Sequence, residues 1–82
     1  MDNIIKRFKN LMYSLSLEYI AEEADTMSLK DMVKECKYWL DCYNEPGNTL
    51  YDMRYEDNYS RKKWTNDTNR LKRFIKKYEE VK

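Results

Sequence analysis

Six serine and cysteine side chains could serve as nucleophiles: Ser14, Ser16, Ser28, Ser60, Cys36 and Cys42. Such groups need an adjacent base, most often histidine, and the sequence contains no histidine. None of the six lies in a glycine turn or a nucleophile elbow. That leaves a cysteine–carboxylate or lysine-based device as the remaining catalytic options. The adjacent carboxylates Glu22–Glu23 and Glu56–Asp57 would point apart on a helix. Cys36 and Cys42 would lie about 120° apart in rotation on one helix and so cannot pair with each other. Two thiols without a third ligand make a poor zinc site. A single glycine, Gly47, cannot build a phosphate-cradling loop. The expectation is a protein that is not an enzyme and carries no catalytic residue, metal or cofactor.

Binding chemistry is better represented. Arg61, Lys62, Lys63, Arg70, Lys72, Arg73, Lys76 and Lys77 face only Asp67 until Glu79 and Glu80. On a helix, Lys62, Arg70, Arg73, Lys76 and Lys77 form one cationic face that could follow a phosphate backbone or hold an anionic nucleotide. A solvated face would look the same, and its last cations suit the helix dipole. A second feature is the acidic, tyrosine-rich run Tyr51, Asp52, Tyr55, Glu56, Asp57 and Tyr59. Tyrosine is a preferred interface anchor, and spaced carboxylates can imitate phosphates in a basic groove. The same tyrosines could instead pin a long connection onto the core.

These groups must be carried by helices. The chain has 82 residues, with one glycine and one proline (Pro46), too few for the turns of an all-β domain. A first helix is expected over 3–24, capped by Asp2 or Asn3. Ile4, Ile5, Phe8, Leu11, Met12, Leu15 and Tyr19 form its core stripe. Tyr13, Leu17, Ile20 and Ala24 form a second stripe, which predicts self-association across this helix as a homodimer. A second helix spans 28–44, opened by Ser28 with Asp31 in a capping-box-like pair and closed before Pro46. Residues 49–58 read as a short helix capped by Thr49, with Tyr51, Tyr55 and Tyr59 on one face, or as a pinned loop. A last helix runs over 60–81 on a Trp64, Thr68, Leu71, Ile75, Tyr78 stripe. The expected fold is all-α: one helical domain over 1–82, a three-helix bundle, or four helices if 49–58 folds, with its long helices antiparallel.

Net charge is only +1, yet residues 60–82 carry nine cations against three acids. No apolar run approaches the 18 or so residues that span a bilayer. Lys6, Arg7 and Lys9 interrupt any signal-like apolar start. A cytoplasmic protein that does not engage a membrane is expected.

The segments LKDMVKECKYWLDCY (29–43), RYEDNY (54–59) and NRLKRFIKKYEE (69–80) resemble small phage and prophage proteins of low-GC Gram-positive bacteria. The resemblance covers about two-thirds of the chain, without residues 1–27. It implies an accessory gene of a mobile element, a class that includes anti-CRISPR and other anti-defence proteins and nucleotide-sequestering sponges. It assigns no site residue. The leading expectation is a phage-type inhibitor in the host cytoplasm that sterically blocks a nucleic-acid-handling complex such as a CRISPR effector. The alternatives are an oligomer sequestering an anionic cyclic nucleotide and a non-specific DNA- or RNA-binding module.

Overall fold

A computed structural model describes residues 2–79, with the exception of the Asp2 side chain. Every element is helical: α1 (Asp2–Ser14), α2 (Glu18–Glu23), α3 (Leu29–Tyr43), α4 (Thr49–Asp52) and α5 (Asn58–Tyr78). Short 3₁₀ turns follow α2 and α4 at Ala24–Thr26 and Met53–Tyr55. The all-α expectation holds for the described residues. No helix among them is long and apolar enough to cross a membrane.

The expected first helix, 3–24, is two helices. The break is a Schellman turn. The Leu17 amide donates to the Met12 carbonyl at 2.8 Å and the Ser16 amide to the Tyr13 carbonyl at 3.0 Å. Ser16 takes the left-handed conformation, φ 62°, that such a turn requires and glycine usually supplies. The break resolves the two-stripe problem. Phe8, Leu11 and Met12 enter the core from α1 and Leu15 from the turn, and the redirected chain brings Ile20, Ala21 and Ala24 in after them. The proposed self-association stripe is therefore no surface. Ile20 and Ala24 are buried, Leu17 is half-buried in the turn, and only Tyr13 is exposed. Asp2 and Asn3, expected as caps, are already helical residues of α1.

α3 begins as read, with the Ser28 hydroxyl accepting from the Asp31 amide at 3.1 Å. Met32, Val33, Cys36 and Tyr43 are its buried stripe. In α5 the expected stripe turns inward through Thr68, Leu71 and Tyr78, joined by Phe74. α5 starts two residues earlier than expected because Asp57 caps it, its carboxylate accepting from the Ser60 amide at 2.7 Å. α3 and α5 pack together with opposed directions. Tyr43, at the end of α3, meets Trp64 and Asp67 in the first half of α5. Lys37 pairs with Glu79, just beyond the last turn of α5. α1 closes the core, with the Phe8 and Phe74 rings 5.7 Å apart.

The 49–58 segment divides. Asn48, rather than Thr49, caps α4 by accepting from the Leu50 amide at 2.9 Å. Arg54, from the 3₁₀ turn, lies 3.9 Å from the Tyr51 ring centre, 4.6 Å from that of Tyr55 and 5.3 Å from that of Trp64. Its guanidinium also donates to both tyrosine hydroxyls. Cation–π attraction at three rings fastens the connection to α5.

Candidate anion-binding groove

The sequence-predicted acidic run does not form one face. The Tyr51 and Tyr55 rings meet edge-on, 6.0 Å between ring centres, and both are occupied by Arg54. Hydrogen bonds from Tyr51 and Arg54 lower the Tyr55 hydroxyl from its ordinary range. Asp57 is spent as the α5 cap. Its extended backbone, φ −161° and ψ 177°, sends Tyr59 off in another direction. Tyr59 instead lines a hollow with Ser14, Lys62, Lys63, Asn66, Asp67 and Arg70. Asp52 and Glu56 stay exposed near Tyr55.

The basic residues are brought together, and with partners the sequence reading missed. Arg70, Arg73 and Lys77 recur at 3- and 4-residue spacing along one side of α5. α1 faces them with Arg7, Asn10 and Ser14 at the same spacing. Together they rim a groove of about 560 Å³ floored by Leu11, Phe74 and Tyr78. Arg7 is positioned by its hydrogen bond to the Tyr78 hydroxyl, 2.9 Å away. None of the described lining residues is acidic. Ser14 and Arg70 also line the Tyr59 hollow, so the two depressions join end to end. Lys76 lies outside both linings.

One acid lies beside this stripe. Asp67 is 1% exposed, although it stands in the most basic part of the sequence. Its carboxylate accepts from the Tyr43 hydroxyl at 2.9 Å and from Lys63 at 2.6 Å, and the Arg70 guanidinium is 3.9 Å away. Burial, with the hydrogen bond to Asp67, pushes the Tyr43 hydroxyl well above its ordinary range. The Asp67 charge is thus answered by Lys63 and Arg70, and Arg7, Arg73 and Lys77 make no ion pair among the described residues.

Folding also regroups the charge. α1 and α5 together hold eleven cations and two acids, while residues 15–57 hold four cations and eleven acids. Part of that acid gathers in a hollow between α2 and α3 lined by Glu23, Asp31 and Glu35 with Tyr19 and Tyr38. The signal for Arg7 was present in the sequence. Residues 3–14 contain three cations and no acid, and Arg7, Asn10 and Ser14 repeat at helical spacing.

No group of three metal-ligating side chains is found among the described residues. Cys36 is buried and Cys42 partly so, both as free thiols. No protein-family model, curated protein or solved structure matches the chain.

Proposed function

We propose that the protein is a nucleic-acid-binding module whose α1/α5 groove holds the phosphate backbone. The supporting observation is the convergence of Arg7 from α1 with Arg70, Arg73 and Lys77 from α5 along a groove also rimmed by the neutral side chains Asn10 and Ser14. Arginine side chains match phosphate geometry in a bidentate manner. The cationic side of α5 from Lys62 to Lys77 runs for about 22 Å at 1.5 Å per residue, long enough to neutralise several phosphates in sequence. Backbone contacts of this kind position a strand without reading its sequence. Binding should weaken linearly with the logarithm of salt concentration, and each lost phosphate contact should lower that slope by about 0.7 for a single strand or about 0.9 for a duplex. Reversing Arg7 and Arg73 to Glu should abolish retention on oligonucleotides. Retention that ignores both salt and these reversals would refute the groove as the site.

A second reading keeps the phage-type inhibitor. Its support is the acidic body over residues 15–57, where Asp52 and Glu56 are exposed beside a 69%-exposed Tyr55. That surface would occupy a basic channel of a host nucleic-acid-handling complex in the host cytoplasm. Pull-down from host lysate should then recover such a complex, and Asp52→Lys with Glu56→Lys should release it. Repeated recovery of the chain alone would count against this reading. The nucleotide-sequestering alternative calls on the same groove, and calorimetry with cyclic nucleotides separates it from backbone binding.

A further inference from the structure

We infer that the groove takes single-stranded rather than duplex nucleic acid, with Tyr59 as the platform on which one unpaired base stacks. This rests on the backbone-binding reading above and goes beyond it by naming the form of the ligand and a base contact.

Tyr59 is the most exposed large hydrophobic side chain of the described residues, at 78%. It makes no hydrogen bond, ring contact or cation–π contact among those residues, so nothing described in the fold depends on it. Its place is specific. It sits in the first turn of α5, three and four residues ahead of Lys62 and Lys63, and lines the same hollow as they do. Ser14 and Arg70 carry that hollow into the groove. A strand whose phosphates follow Lys62, Arg70, Arg73 and Lys77 therefore passes Tyr59 at one end.

Two further arguments favour a single strand. Packed helix axes stand about 8–10 Å apart, so the depression between α1 and α5 admits one backbone but not a whole duplex. In a duplex both faces of each base are already stacked, whereas an unpaired base offers a free π-face to tyrosine. From Tyr59 to Lys77 the platform and cations extend about 27 Å along α5, within reach of a strand at the short end of the usual range of about 4–16 nucleotides.

The test is fluorescence anisotropy at low salt with three labelled probes of about fifteen units: oligothymidylate, an abasic strand of equal length, and a duplex. Wild type should bind oligothymidylate at least about tenfold tighter than either other probe. Tyr59→Ala should lose about 5- to 150-fold on oligothymidylate alone, and Tyr59→Phe should retain binding. Circular dichroism checks that both variants fold, which the exposure of Tyr59 makes the expected result. Equal affinity for duplex and single strand, or for abasic and thymidine strands, overturns the inference while leaving backbone binding intact. So does an unchanged Tyr59→Ala. Wild-type protein that binds none of the three overturns the groove reading itself.

Discussion

The Tyr43 hydroxyl donates to the Asp67 carboxylate across the α3–α5 interface, 2.9 Å apart and 24 residues apart in sequence. Around it, Lys63 donates to the same carboxylate oxygen, and the Trp64 indole donates to the Tyr43 carbonyl at 2.8 Å. This is a buried polar lock in the α3–α5 seam. A hydrogen bond to a charged, buried acceptor is worth more than an ordinary one. Tyr43→Phe should lower unfolding free energy by about 1.5–3 kcal/mol. Asp67→Ala should cost at least as much, because it leaves the Tyr43 hydroxyl buried without a partner. The Lys63 contribution is modest, since its side chain is 37% exposed and screened by solvent. Urea denaturation measures both, and unchanged midpoints would remove the lock from the account of stability.

Stability should fall on the alkaline side. Burial, with a smaller effect from Glu35, pushes the Cys36 thiol from 9.0 up to about 12. In the unfolded chain the thiol ionises near 9, while the folded chain keeps it neutral. The unfolded state therefore releases a proton first, and stability drains away as pH rises from about 9 towards 12. Tyr43 adds a second loss that begins near its ordinary value of 10.0. Thermal midpoints at pH 8, 10 and 11 should decline in that order. Cys36→Ala should flatten the first part of the decline, and a profile identical to wild type would exclude the thiol as its source.

Ser16 holds a conformation that costs a non-glycine residue about 1–2 kcal/mol. Ser16→Gly should relieve part of it and raise the denaturation midpoint, by up to about 1 kcal/mol after the added chain entropy of glycine. Ser16→Val should lower the midpoint, because a branched side chain tolerates this region least. If valine is tolerated as well as glycine, the turn between α1 and α2 does not have the described form.

Ile20→Glu now has a different expected outcome from that of a dimer-face substitution. Ile20 is 4% exposed, so an unpaired charge there should unfold the chain rather than shift its mass towards a monomer. Circular dichroism and light scattering on the same sample separate the two. A folded variant of halved mass would restore the dimer stripe.

Arg54→Ala should free Tyr51, Tyr55 and Trp64 from their shared cation, at a cost of about 1–2 kcal/mol. Trp64 emission reports the change directly, since Trp39 is remote in sequence and can be replaced by Phe. Arg54→Lys should rescue only in part, because an ammonium cannot stack as a planar guanidinium does. Full rescue by lysine would reduce the cluster to a simple charge contact.

Much of the architecture was legible because single helices announce themselves. Ser28 with Asp31, the Met32–Val33–Cys36 stripe and the Thr68–Leu71–Tyr78 stripe each follow from spacing alone. The break at Ser16 was not legible. No glycine or proline marks it, and the left-handed turn is imposed by the need to bury Ile20 and Ala24 after α1 has already filled its own face. The acidic run misled for a related reason. A helical projection placed Tyr51, Tyr55 and Tyr59 together, but the cap at Asp57 interrupts the helix between the second and the third. Asp67 read as one acid diluting a basic face, whereas its phase on α5 puts it on the inner side. In the groove, the α5 cations were visible from sequence. Arg7 required the knowledge that α1 packs against α5.

The eleven cations on α1 and α5 and the eleven acids over residues 15–57 give the molecule surface charge of both signs at nearly zero net charge. Such particles attract one another when counter-ions are few, so the second virial coefficient should be negative in dilute buffer and rise on adding salt. If the groove binds a polyanion as proposed, the same ions would weaken its hold. On that reading ionic strength acts in two opposed senses, dispersing the molecules while loosening a bound polyanion. The proposed function therefore requires a band of salt concentration in which the chain is both monodisperse and able to bind.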